Sequence, residues 1–218
     1  MIRNLIVAAL ATVMTTSFAL GQKCSCETQD SKLITSGQMR RVERRELNTL
    51  LVGWKAKPRE VAEKTIAKYG EPHEATATRM VWFNSGPWKF TILTNEEIPH
   101  NFPMHHHDML RQGIDYRVPD RKFNDLLNYD GSVVIDRTPG EISARCDKEE
   151  MNFLAINLAI DVATGKRSVS GARDFYAKTA MAFMKGSLNA EQRASTSGFT
   201  FRVPQGNTGF PDKPHKGM

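Results

Sequence analysis

The segment from Lys148 to Thr164 constrains the fold most, because it is apolar around nearly its whole circumference. Its large apolar residues cannot share one narrow stripe of a helix: Met151, Phe153, Leu154, Ile156, Leu158, Ile160 and Val162. A helix with this pattern must be enclosed by other elements on almost every side. The sequence therefore predicts a central core helix. Asp147 and Glu150 have the spacing of a capping box at its start, and Gly165 supplies a stop at its end.

Alternating apolar and polar residues predict the strands that would surround this helix. The pattern has a period of two over residues 110–118, which is typical of a strand with one buried face. Two hairpins are indicated as well. One spans residues 79–94 around a turn at residues 84–87. The other spans residues 132–145, with Pro139-Gly140 in the central positions of a type II turn.

Further helices are indicated by apolar stripes and by Pro and Gly at helix ends, over residues 39–54, 58–69, 120–129 and 168–183. Together these elements predict an α+β fold: a single domain with a mainly antiparallel sheet of about five strands packed by about five helices. We expect the globular domain to span residues 38–186. A loose segment at residues 22–37 would precede it, and a mobile C-terminal tail at residues 187–218, rich in Ser, Gly, Asn, Pro and Lys, would follow it.

One part of this pattern is similar to small α/β modules of the bacterial envelope. A predicted helix is followed by Gly70, Pro72 and a hairpin that carries Trp82 and Trp88. This succession resembles the small lipoproteins of outer-membrane assembly. The resemblance covers about fifty residues and carries no site residue.

The first 21 residues have the three parts of a secretory signal peptide. Arg3 provides the positive start, residues 5–18 the short apolar run, and Ala19-Leu20-Gly21 the cleavage site. That run is too short to cross a bilayer, and no later segment is long and apolar enough to do so. Lys23 precedes Cys24, where lipid attachment would need a small residue. We therefore predict a periplasmic or secreted protein without a transmembrane segment after signal cleavage.

The net charge indicates which classes of partner to expect. Loss of residues 1–21 would remove only Arg3 among the charged residues, leaving 29 basic against 24 acidic side chains. This mild excess predicts attraction to anionic envelope surfaces at most. Nucleic acid is not expected as a partner in such a compartment.

Three cysteines follow the predicted signal peptide: Cys24, Cys26 and Cys146. An oxidising compartment favours pairing, so we expect a disulfide from Cys24 or Cys26 to Cys146, with one thiol left over. The alternative is that Cys24 and Cys26 form a Cys-x-Cys clip for a soft metal ion. The sequence leaves both interpretations open.

Residues 100–108 contain the one dense group of potential ligands. Four of the six histidines lie there together with Met104 and Asp108: His100, His105, His106 and His107. Imidazole, thioether and carboxylate suit Zn, Cu or Ni better than Ca or Mg. If residues 105–108 lead directly into the strand, His105 and His107 point to one side and His106 with Asp108 to the other. His100 would then have to fold back to become a third ligand. The alternative is an exposed polar loop whose histidines contact only water.

Cys146 is a second candidate residue, because it precedes a helix N-terminus, where the helix dipole can lower the pKa of a thiol. The sequence contains no Gly-x-Ser-x-Gly, phosphate loop, dinucleotide fingerprint or His-Glu-x-x-His motif. The leading prediction is thus a non-enzymatic secreted protein that binds Zn or Cu through His100, His105, His106, His107 and Asp108. An envelope protein-interaction module and a Cys146-dependent hydrolase are the alternatives.

Overall fold

The computed structural model of the chain describes residues 39–204, 206 and 208–213. The predicted signal peptide, the segment at residues 22–37, and Cys24 with Cys26 lie outside these residues. The described helices are α1 (Arg44–Val52), α2 (Ala56–Tyr69), α3 (Phe123–Tyr129, preceded by a 3-10 turn at Asp120–Lys122), α4 (Glu149–Thr164), α5 (Val169–Met184) and α6 (Ala190–Ser197). The described strands are β1 (Glu74–Ala75), β2 (Arg79–Ser85), β3 (Trp88–His100), β4 (His106–Asp115), β5 (Val133–Asp136) and β6 (Glu141–Cys146).

The strands form one open sheet in the order β1-β2-β3-β4-β6-β5. Every neighbouring pair is antiparallel. The predicted α+β fold with a mainly antiparallel sheet is confirmed, and both predicted hairpins are present. Gly140 has a φ of 69°, which the third position of a type II turn requires. The sheet has six strands rather than five because β1 is only two residues long, too short to produce an alternating pattern.

The helices pack on the sheet through two apolar clusters that share one face. Directly opposite residues of antiparallel strands project to the same side of a sheet, and Leu110 on β4 is paired with Cys146 on β6. Leu110 belongs to the cluster that includes Leu47 of α1 and Ile66 of α2. Cys146 belongs to the cluster that includes Leu154 of α4. The domain is therefore a helical layer on a sheet layer.

Helix α4 is the central core helix that its sequence predicts, and twelve of its sixteen residues are buried. Gly165 ends it with a φ of 81°. The predicted capping box is wrong: the N-cap residue is Lys148, and no side chain caps the helix start. The carboxylate of Glu149 instead turns inward and accepts a hydrogen bond from Nε1 of Trp88 at 2.6 Å.

The folded region continues beyond residue 186, where the sequence predicts a mobile tail. Helix α6 begins with a capping box between Asn189 and Gln192. Asn157, on the buried side of α4, donates to the carbonyl oxygens of Ser195 and Gly198 at 3.0 and 2.8 Å. Phe199 packs edge-on against Trp88. The segment after residue 186 is thus folded despite its polar composition. It is held by the buried amide of Asn157, which needs hydrogen-bond partners, and by the burial of Phe199.

Candidate metal centre

The β3–β4 hairpin brings the histidine-rich segment together at one end of the sheet. His100 closes β3, His106 opens β4, and their Cα atoms are directly paired across the hairpin. Residues 101–105 form the connecting loop, in which the Phe102–Pro103 peptide bond is cis. Asp108 is paired with Ile98 of β3. Two strand ends and a short loop thus hold the candidate ligands, so their positions follow from the register of the hairpin.

His100, His106 and Asp108 form a group whose potential ligand atoms all lie within 4.8 Å of one another. His106 Nε2 is 3.2 Å from Asp108 Oδ1, and His100 Nδ1 is 3.4 Å from Asp108 Oδ2. Two atoms bound roughly 2.0–2.2 Å from a tetrahedral ion lie about 3.3–3.6 Å apart. The two separations from imidazole to carboxylate, one to each oxygen of Asp108, are therefore close to those of a tetrahedral coordination site.

His105 and His107 lie apart from this group. Nδ1 of His105 is 2.9 Å from Oδ1 of Asn101, and Nδ1 of His107 is 3.9 Å from a carboxylate oxygen of Glu97. Their rings contact each other, with centroids 5.2 Å apart. This is the division that strand alternation predicts: two imidazoles on one side, and His106 with Asp108 on the other.

An oxygen atom lies near the second ring nitrogen of each histidine in the group, within hydrogen-bond distance only for His106. Nδ1 of His106 is 2.9 Å from the carbonyl oxygen of Met104. Nε2 of His100 is 3.6 Å from Oδ1 of the buried Asp130. Metal-binding histidines commonly donate their second ring N–H to a carbonyl or carboxylate, which sets the tautomer and the orientation of the ring. The donation from His106 to Met104 would leave Nε2 as the ring atom with a free lone pair facing Asp108.

The carboxylate of Asp108 is buried and only partly satisfied. Ser132 Oγ donates to Oδ2, whereas Oδ1 is buried without a hydrogen-bond partner of good geometry. Burial by itself would raise the pKa of Asp108. The hydrogen bond from Ser132 and the close contacts with His100 and His106 outweigh burial and hold that pKa at about 2.

The charge state of His106 follows from the same contacts. The close contact of Nε2 with the Asp108 carboxylate raises the pKa of His106 to about 11, with a smaller contribution from Cys146, and burial opposes the shift. In the absence of a cation, His106 is therefore an imidazolium paired with a carboxylate. A metal ion would have to displace the proton on Nε2.

Asp130 and Ser132 belong to the site, but the sequence does not indicate them. They follow α3, where Asp130-Gly131 reads only as a helix stop. Oδ1 of Asp130 accepts from the backbone N–H of Ser132 at 2.9 Å, and Ser132 Oγ lies 3.1 Å from Nδ1 of His100. Short polar residues after a helix are usually turn residues. No sequence signal therefore distinguishes Asp130 and Ser132 from residues that only form a turn.

Cys146 is a free thiol at the end of β6, only 4% exposed. It contacts the imidazole of His106, and burial raises its pKa. A Cys–His hydrolase needs a free thiol, a neighbouring histidine and access for substrate. Cys146 meets the first two conditions, but its sulfur is enclosed in this conformation. The predicted disulfide partners, Cys24 and Cys26, lie outside the described residues.

A second polar cluster lies at the start of α4, around Glu149. Besides Trp88, its carboxylate accepts hydrogen bonds from Tyr69, from Lys68 and, at 3.2 Å, from Gln112. These donors come from α2, β3 and β4, so the carboxylate joins three elements. Trp88 and Gln112 are buried and Tyr69 is half-buried, whereas Lys68 is exposed. Packing therefore explains most of this cluster.

An envelope-interaction module would call for an exposed apolar patch or an open sheet edge. The outer strands β1 and β5 have only two and four residues. Beside β1, the backbone N–H of Phe83 donates to Nδ1 of His73 at 3.0 Å. Val52 on α1 and Leu127 on α3, the two most exposed large apolar residues described, belong to different helices. Met181 and Met184, one turn apart on α5, are also exposed. The described residues thus present short sheet edges and one neighbouring pair of exposed apolar side chains.

Comparisons with known proteins identify no class for this protein, so we define its class by the fold and the site. No protein-family model matches the chain, and neither a curated protein nor a solved structure is significantly similar to it. Among the described residues, no helix combines the length and apolar character needed to span a membrane. The molecule is an α+β domain with a candidate His-His-Asp metal centre at the β3–β4 hairpin.

Proposed function

We propose that this protein binds one transition-metal ion, Zn or Cu, through His100, His106 and Asp108, and that it does so in the periplasm or outside the cell. The observation that carries the proposal is Oδ1 of Asp108. It is a buried carboxylate oxygen without a hydrogen-bond partner, 3.2 Å from His106 Nε2. Buried polar atoms are rarely left unsatisfied unless an ion, a water molecule or a functional role accounts for them.

A proton is the competing occupant of this position. An imidazolium N–H on His106 would neutralise Asp108, yet the contact between Nε2 and Oδ1 lacks the geometry of a hydrogen bond. A cation that replaced this proton would contact Nε2 and would also satisfy Oδ1.

The ligand chemistry limits the kind of ion. Two imidazoles and one carboxylate suit Zn and Cu better than Ca or Mg, which prefer oxygen ligands. Three protein ligands do not complete a tetrahedral shell, so a fourth position is available for another group. The two carbonyl and carboxylate contacts behind the histidines supply the support that ligand residues require.

The proposal is tested by metal titration of untagged protein purified without chelating resin. We expect one equivalent of Zn(II) to bind, measured by competition with a chromophoric chelator. Replacement of the grouped pair, His100→Ala/His106→Ala, should abolish that equivalent. The matched pair His105→Ala/His107→Ala should retain it, because those side chains lie on the other side of the strand. Equal loss in both double variants, with folding confirmed by circular dichroism, would show adventitious binding to a histidine-rich loop.

Metal affinity should also rise steeply with pH. Because the pKa of His106 is raised to about 11, the ion displaces a proton at every pH from 6 to 9. The apparent association constant should then increase at least about tenfold per pH unit across that range. An ordinary histidine would stop contributing above its unperturbed pKa of about 6.5. A plateau above pH 7 in the same competition titration would contradict the assignment of His106.

A further inference from the structure

The position of Cys146 beside this centre suggests a role for its thiol. We infer that the Cys146 thiolate is the fourth ligand of the ion, so that the centre is a His-His-Asp-Cys site selective for thiophilic cations such as Zn(II) or Cu(I). This inference rests on the proposed function and adds the sulfur ligand to it. Thiolate ligands select Zn and Cu(I) over harder divalent ions.

Strand register places the thiol on the same face as the three other ligands. Cys146 is directly opposite Leu110, and Leu110 shares a face of β4 with Asp108 and His106 because side chains alternate. Cys146 is thus a diagonal neighbour of Asp108 across the β4–β6 pair. Diagonal neighbours lie roughly 7–8 Å apart at the backbone, within reach of each other's side chains.

In the described conformation, the Cys146 thiol contacts Asp147 and His106 and is not yet positioned as a ligand. Its S–H group donates to Oδ1 of Asp147 at 3.6 Å, and the sulfur also contacts His106. It is not among the three atoms that already lie within 4.8 Å of one another. Closure of the site therefore requires rotation of the Cys146 side chain away from Asp147. That rotation gives up the hydrogen bond to Asp147.

A pocket next to the centre is lined by sulfur atoms that could guide a thiophilic ion to it. His106 and Cys146 line a cavity of about 210 Å³ together with three thioethers, those of Met104, Met151 and Met184. Met184 is 62% exposed, whereas Met151 is buried. Sulfur donors thus extend from the surface to the candidate ligands. Thioethers bind Cu(I) but contribute nothing to the binding of hard cations, which is consistent with a site for a thiophilic ion.

Cobalt(II) substitution tests this inference, because a thiolate ligand produces an intense charge-transfer absorption in the near ultraviolet. All proteins would carry Cys24→Ser/Cys26→Ser, so that Cys146 is the sole thiol, and would be kept reduced. We expect the parent protein to show that band together with the visible ligand-field bands of bound cobalt. Cys146→Ser should lose the charge-transfer band and bind Zn(II) at least about tenfold more weakly, while it keeps the ligand-field bands.

The outcomes separate this inference from the proposed function. Ligand-field bands without charge transfer in the parent protein would overturn the role of Cys146 and leave the His-His-Asp site intact. The absence of cobalt binding in a folded parent protein would overturn both. Met104→Leu serves as the matched control in the same pocket: it removes a sulfur that we do not assign as a ligand, and the charge-transfer band should persist.

Discussion

Replacement of Asp108 by Asn is expected to weaken metal binding by about a hundredfold or more, which exceeds the 10–100-fold effects seen when groups supporting metal ligands are changed. Asn is nearly isosteric and can still accept the hydrogen bond from Ser132. It removes the negative charge that would hold a cation, and we expect this loss to exceed the gain from releasing the competing proton that Asp108 holds on His106. The measurement is competition titration with Zn(II) at pH 7.5, with the folded state confirmed by circular dichroism.

Asp115→Asn is the matched control for this change. Asp115 lies at the other end of β4 and is paired with Lys89 at the protein surface, so its replacement should leave Zn(II) affinity unchanged. The pH dependence offers a further check. Asp108 contributes most to the raised pKa of His106. Without it, His106 should lose its proton at a lower pH, and affinity should rise less steeply with pH. Unchanged affinity in Asp108→Asn would remove the carboxylate from the site.

Replacement of Glu149 by Ala is expected to lower the free energy of unfolding by about 3 kcal/mol. The carboxylate accepts hydrogen bonds from Trp88, Tyr69 and Gln112. Its removal leaves these donors without a hydrogen-bond acceptor. The cost therefore comes mainly from donors left without an acceptor. Urea-induced unfolding at pH 7 measures it, and Glu149→Gln, which retains one acceptor oxygen, should lose less.

Glu150→Ala is the control, because that neighbouring side chain is exposed and should change stability by no more than about 0.5 kcal/mol. The effect of Glu149 also has a defined pH dependence. Burial would raise its pKa, but hydrogen bonds from Lys68, Tyr69 and Trp88 lower it below 4.5. Its stabilisation is thus complete above about pH 4.5 and is lost as the pH falls through the lower folded-state pKa. Equal stability of Glu149→Ala and Glu150→Ala would contradict the internal role of Glu149.

Much of the fold can be predicted from local patterns. The all-round apolar character of α4 requires enclosure, and turn residues such as Gly140 fit their observed conformation. The tail is different, since α6 is held by hydrogen bonds between Asn157 and residues some forty positions later. No local pattern encodes a partner at that distance. The role of Glu149 is not encoded locally either. Its sequence position indicates a capping or surface residue, and only the packing of α2 and β3 around it shows that it is an internal acceptor.

The candidate site can likewise be predicted from the sequence only in part. Alternation along a strand is a local property, so the sequence by itself determined that His106 and Asp108 share a side and that His105 and His107 face away. Only the tertiary structure decided that His100 pairs with His106, and that β6 lies between β4 and β5 with Cys146 beside the centre. Neighbouring strands are selected by the burial of apolar surface contributed by distant segments, and that choice cannot be read from any one of them.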